Sequence, residues 1–233
     1  MEICLECAPH KKGILMRLLS RMGVLAASLP LLAGCFDMSQ SLTVDANRTV
    51  TYVTEMAMTA EMMNFAEEGE EREEFCPTEF TDIPPGFTAT AETSTRENGD
   101  AVCTVTAIGP LAELQAAIAS GKFIPGGMED DAPEITLVDE GGGVFTYTLV
   151  LTIDPEEPPA TPMTAEELAF QTQMETAVLA MMEGRLLTWS VTAPRIISTT
   201  GTLEGNTATF SVPLTISMTQ PGTTHTFVVR FAL

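Results

Sequence analysis

The chain has 233 residues, with 11 Lys and Arg against 32 Asp and Glu, a formal net charge of −21 and a hydrophobic content of 45%. That hydrophobic content excludes disorder along the whole length. The charge excludes unaided binding to nucleic acid or to an anionic membrane surface, because phosphate binding needs clustered cations.

The first 34 residues read as a processed signal peptide. From Met16 the chain runs MRLLSRMGVLAASLPLLAGC. Arg17 and Arg21 form a positive n-region, and Gly23 to Leu32 form an apolar h-region too short to span a bilayer. Leu32-Ala33-Gly34-Cys35 then resembles the lipobox of bacterial lipoproteins, in which the Cys thiol takes a diacylglycerol thioether and a peptidase cuts before it. Residues 1 to 15 fit this scheme poorly. They carry Cys4, Cys7 and His10, a spacing that could bind zinc, but translation is expected to start at Met16. Cleavage before Cys35 leaves 199 residues with 7 cations and 30 acids, net −23. That is enough for one sizeable domain or two small ones.

Acyl chains on Cys35 anchor the chain without spanning the membrane, each buried methylene contributing about 0.8 kcal/mol. No later stretch is long and apolar enough to span. Asp directly after the lipidated Cys retains Gram-negative lipoproteins in the inner membrane. Here Phe36 takes that place and Asp37 follows, so the periplasmic face of the outer membrane is the expected destination in such a host. A Gram-positive or mycobacterial host would change it. With Cys35 acylated, Cys76 and Cys103 remain. An even pair in an oxidising compartment points to a disulfide, the alternative being two unrelated buried thiols.

Ser41 to Met58 reads as a β-hairpin, with Leu42-Thr43-Val44 and Val50-Thr51-Tyr52-Val53 alternating about an Asp45-Ala46-Asn47-Arg48 turn. Ala60 to Phe65 suits a helical turn or a strand end, and Glu67 to Glu74 reads as a solvated acidic run. Phe87 to Thr93 and Ala101 to Ile108 form a second hairpin around Asn98-Gly99. Pro110 to Ser120 is a short helix with Leu111, Leu114 and Ile118 on one face. A loop through Glu129-Asp130-Asp131 leads to a third hairpin, Glu134 to Val138 and Val144 to Ile153, around Gly141-Gly142-Gly143. Four prolines make Pro155 to Pro162 a stiff connector.

Thr164 and Glu167 make a capping box for a helix over 165 to 183, and Gly184 suits its end. Its apolar stripe holds Phe170, Met174, Ala177, Val178 and Met181. Strands follow at Leu186 to Thr192, Ile196 to Ser198, Ala208 to Val212, Leu214 to Met218 and Thr224 to Phe231. The fold class is therefore α+β: mostly antiparallel sheet in one domain over 35 to 233, with two helices packed on one face.

Two stretches are similar to the LppM-like domain family of bacterial envelope lipoproteins. One is Cys35-Phe36-Asp37-Met38 with Leu42-Thr43-Val44 and Thr49-Val50. The other is Val191-Thr192-Ala193-Pro194 with Gly201-Thr202-Leu203-Glu204-Gly205-Asn206-Thr207-Ala208-Thr209-Phe210. Arg195 stands where the family has Gly after Pro, and no second membrane segment follows. The resemblance implies an α+β envelope domain that handles lipid, and it transfers no active-site residues.

No nucleophile elbow, phosphate loop or dinucleotide fingerprint is present. His225 reads as a turn or edge histidine, and paired acids such as Glu70-Glu71 and Glu156-Glu157 carry little information in so acidic a chain. Glu129-Asp130-Asp131 and Asp139-Glu140-Gly141 lack the spacing of a calcium loop. Met56, Met58 and Met62-Met63 fit core packing better than copper binding. The expectation is a non-catalytic, lipid-anchored envelope protein without cofactor or metal. It would bind an apolar lipid or glycolipid, with Phe170, Met174, Val178, Met181 and Met182 lining the site. The alternative is an acidic scaffold for another envelope protein.

Overall fold

A computed structural model describes residues 36–59, 75–77, 80, 83–121, 133–155 and 163–233. The signal peptide, Cys35, the 60–74 run, the Glu129–Asp131 loop and most of the Pro155–Pro162 connector lie outside the described residues.

Eleven strands and three helices follow in chain order among the described residues. They are β1 (Phe36–Val44), β2 (Thr49–Met58), β3 (Thr88–Thr95), β4 (Ala101–Pro110), α1 (Leu111–Ala119), β5 (Glu134–Gly141), β6 (Val144–Thr152) and α2 (Ala165–Met182). The rest are β7 (Leu186–Thr192), β8 (Arg195–Thr199), β9 (Thr202–Glu204), β10 (Thr207–Pro213), α3 (Ile216–Thr219) and β11 (Thr224–Ala232). The fold is α+β, as expected. A seven-stranded sheet has the order β3-β4-β2-β1-β7-β10-β9, and a four-stranded sheet has the order β5-β6-β11-β8. All pairings are antiparallel except β1 with β7, which is parallel.

Alternation along each strand sets the core. β6 turns Phe145, Tyr147, Leu149 and Leu151 inward, and β1 turns Met38, Gln40, Leu42 and Val44 inward. Phe210 of the large sheet stacks on Phe227 of the small one at 5.5 Å and on Trp189 at 6.0 Å, so one aromatic column crosses between the sheets. The Trp189 indole N–H donates to Gln40 Oε1 at 3.0 Å across the parallel β1–β7 pair. Both side chains are buried, and that bond lets the one Trp enter the core without an orphaned donor.

The outer face of the large sheet is rich in hydroxyls. The register aligns Thr90, Thr106, Val53, Ser41, Ser190, Thr209 and Thr202 into a single rung across all seven strands. Thr188 and Ser211 (3.0 Å) and Thr192 and Thr207 (2.8 Å) are hydrogen-bonded on the neighbouring rungs. Thr is favoured in strands for its β-branch and can stay hydrated on an open face.

The turns are built as their residues dictate. The Asp45 carboxylate accepts from the backbone N–H of Asn47 and Thr49, both at 2.8 Å, and Arg48 takes φ 64°. Gly99 sits at φ 89°, as an Asn-Gly turn requires. The expected disulfide is present: Cys76 and Cys103 are joined with their Cα atoms 5.3 Å apart.

Two expectations are corrected. Leu214 to Met218 is not a strand. Pro213 ends β10, since it has no N–H for a ladder, and the chain then coils into α3. The helices also do not share one covering role. α1 buries Leu111, Leu114 and Ala117 against the core. α2 keeps its capping box between Thr164 and Glu167, but Leu168 and Phe170 are exposed and burial is reached only at Val178 and Met182.

The chain switches sheets between β8 and β9 at Gly201. A Cβ there would lie 2.3 Å from the Thr209 carbonyl oxygen and 2.6 Å from the Phe227 ring. Backbone cannot yield as a flexible side chain can, so Gly201→Ala is expected to lower stability by about 1–3 kcal/mol, read from urea midpoints. Reduction of Cys76–Cys103, which closes a separation of 27 residues, is expected to cost about 3 kcal/mol. The Cys76→Ala/Cys103→Ala variant should then match the reduced protein.

Candidate functional site

β1 begins at Phe36, the residue after Cys35. Asp37, the second residue of the strand, is the hub of an ion-pair cluster. Its Oδ2 accepts from Arg96 at 2.8 Å and from Arg185 at 3.3 Å, and its Oδ1 accepts from the Leu186 backbone N–H at 3.3 Å. Arg96 also bridges to Glu55 at 2.7 Å, and Arg185 to Asp100 at 3.0 Å. Asn98 donates to the same Asp100 oxygen at 2.9 Å. These bonds join the start of β1, the end of β2, the β3–β4 turn and the start of β7.

Asp100 is the buried member, its side chain 5% exposed. Burial alone would raise its pKa. Hydrogen bonds from Arg185 and Asn98, with the charges of Arg185 and Arg96, outweigh burial and hold the carboxyl below its ordinary value. Sequence reasoning missed this cluster, because its members are up to 149 positions apart and nothing local marks them as partners. The scarcity of cations was the available signal, since each Arg of so acidic a chain has many carboxylates to choose from.

The expected ligand stripe on α2 grades from solvent into the core. Phe170 is 59% exposed, Met174 is half-buried, and Val178 is 7% exposed. The Met181 side chain lies outside the described residues. The stripe therefore does not line an enclosed cavity between helix and sheet. The space between the sheets is filled by Trp189, Phe210, Phe227, Phe145, Phe231 and Tyr147. A cleft of about 530 Å³ opens elsewhere, beside the disulfide, lined by Cys76, Pro77, Phe80, Ile83 and the β3 residues Ala89, Thr90, Ala91 and Thr93. The Cys76–Cys103 pairing was its only trace in the sequence.

The remaining candidates have structural partners. His225, the second residue of β11, is half-buried, with its Nε2 3.3 Å from Thr223 Oγ1. Asp139 accepts from the Gly141 N–H at 2.7 Å, and Glu140 pairs with Arg230 at 2.7 Å. Met56 and Met58 are half-buried, and Met56 packs against the core. Among the described residues no three or more His, Cys, Asp or Glu are grouped as a metal site needs, and no helix is long and apolar enough to cross a membrane.

No family model matches the sequence, and no curated protein matches it. Among solved structures, the chain is similar to the NMR structure of the folded domain of the LppM protein of Mycobacterium tuberculosis. The identity is 11%, the match covers 86% of this chain and 92% of that one, and the TM-score is 0.47.

Asp100 supplies a signed prediction. A carboxyl whose folded pKa is depressed contributes stability above its unfolded value, near 4, and loses it as pH falls through the folded value. Urea midpoints of the wild type should therefore drop steeply below about pH 4, and those of Asp100→Asn should fall less. At neutral pH the variant should be destabilised by up to about 3 kcal/mol, the lower edge of the cost of breaking a buried pair, because Arg185 keeps some contact with water.

Proposed function

We propose that this chain is a cell-envelope protein held by a lipid anchor on Cys35, and that it binds an apolar envelope lipid or glycolipid rather than catalysing a reaction. The address rests on the n-region, the h-region and Leu32-Ala33-Gly34-Cys35. The binding reading rests on one observation: the α2 stripe passes from an exposed Phe170 through Met174 to a buried Val178. Such a stripe gives an acyl chain an apolar track from water to the edge of the core, and Met adapts to irregular ligands. A non-catalytic role is in keeping with His225 being the single histidine after the signal segment, placed in β11 beside the Thr223 hydroxyl.

A second reading is an acidic scaffold that binds another envelope protein. It is favoured by the 30 acids against 7 cations that follow the signal segment, which would select a basic partner.

Residues 36 to 233, purified from the periplasm, separate these readings by native mass spectrometry with organic extraction. Lipid binding predicts an added mass of several hundred daltons, on the order of one lipid, that extracts into solvent. Phe170→Asp should abolish it while leaving the urea midpoint unchanged, because the side chain is exposed. An apo mass with a copurifying basic protein would replace lipid binding by the scaffold reading. For the address, Cys35→Ala should leave the precursor uncut and unanchored. Normal processing and anchoring of that variant would refute it.

A further inference from the structure

We infer that the domain stands end-on against the lipid bilayer, with the Asp37–Arg96–Arg185 cluster at the headgroups and the Asp45–Arg48 turn pointing away. This rests on the lipid anchor at Cys35 proposed above. Lipid anchors are often separated from their domain by a linker, and here there is none. Phe36 is already paired with Met58, and Asp37 with Ala57. One peptide unit moves the chain at most about 3.8 Å, so the Asp37 backbone lies within roughly 7 Å of the Cys35 Cα. The polar headgroup zone is about 5–8 Å deep on each side of the hydrocarbon. The tether therefore cannot carry the ion-pair end clear of the headgroups.

The end-on attitude follows from where the tether leaves the fold. β1 is the middle strand of seven, with β3, β4 and β2 on one side and β7, β10 and β9 on the other. The chain enters along the axis of that strand, at the centre of one end of the sheet. The β3–β4 turn, through Arg96 and Asp100, and the α2–β7 junction, through Arg185, surround this entry point. The electrostatics agree. Arg96 and Arg185 bridge Asp37, Glu55 and Asp100 at this end, which lowers the repulsion that a chain of net −23 would meet at an anionic surface. The far turn stands off by the length of β1, nine residues, or about 30 Å at the rise of an extended strand.

The test uses the full lipidated chain in vesicles of phosphatidylethanolamine and phosphatidylglycerol that carry a headgroup nitroxide quencher. A fluorescent amino acid is placed singly at Glu97 in the β3–β4 turn, at Thr202 on the hydroxyl face, or at Asn47 in the far turn, all exposed positions. The expected result is quenching at Glu97 several-fold above that at Asn47, with Thr202 between them. A flexible Gly-Ser linker of roughly twenty residues between Cys35 and Phe36, with a reach of about 25 Å, should erase the difference. Strongest quenching at Thr202 would mean that the sheet lies face-down, and equal quenching at all three would mean a freely tumbling domain. Either result, in protein that floats with the vesicles, overturns the end-on attitude alone. Protein that does not float and lacks the acyl mass overturns the anchor, and the attitude with it.

Discussion

One carboxylate organises this fold more than its size suggests. Asp37 accepts hydrogen bonds from Arg96, Arg185 and the Leu186 amide, which lie 59, 148 and 149 positions away. The parallel contact of β1 with β7 is the seam between the N-terminal strands β3-β4-β2-β1 and the C-terminal strands β7-β10-β9. A parallel pair has no tight turn to set its register. Here the register is fixed at one end by Asp37 reaching the Arg185–Leu186 segment, and in the middle by the Gln40–Trp189 bond. Two polar contacts thus specify a pairing that apolar alternation alone would leave free to slip by two residues.

This division explains what was legible in the sequence. The three N-terminal hairpins were legible because each joins two alternating runs through a turn with its own chemistry: Asp45 over Asn47 and Thr49, Asn98-Gly99, and the Gly141–Gly143 run at positive φ. Helix boundaries were legible from Pro110, from the Thr164–Glu167 box and from Gly184. Each of these signals acts within a few residues. The partition of strands into two sheets, the β1–β7 seam and the ion-pair cluster depend on groups far apart in the chain, and no local pattern encodes them. The α2 stripe marks the limit of periodicity as evidence. Phe170, Met174 and Val178 lie at helical spacing, yet a stripe states which residues share a side and not how far along the helix a neighbour covers them.

The filled interior narrows how any ligand could be held. The aromatic column from Trp189 through Phe210 to Phe227 occupies the centre, and Phe145 and Phe231 stack at 5.6 Å beside it. Protein interiors are close-packed, so a guest could enter among these rings only by displacing side chains. The proposed apolar ligand would therefore meet the domain at its margins. Two margins differ in character: the graded stripe of α2, with Met174 between Phe170 and Val178, and the cleft beside the disulfide, where Cys103 of β4 holds Cys76.

Charge placement carries the same logic to the surface. From Cys35 onward the chain has only seven cations, and those with described contacts hold groups of the chain itself. Arg96 and Arg185 gather acids at the start of β1, Arg230 holds Glu140, and Arg48 lies 5.7 Å from the centre of the Phe145 ring. The outer face of the large sheet presents hydroxyls in rungs. A net charge of −23 over residues 35 to 233 opposes unaided approach to any polyanion. If Cys35 carries the proposed lipid, approach to a bilayer comes from that covalent tether, and because β1 begins at Phe36, the very next residue, the tether is short enough to set the attitude of the domain as well as its address.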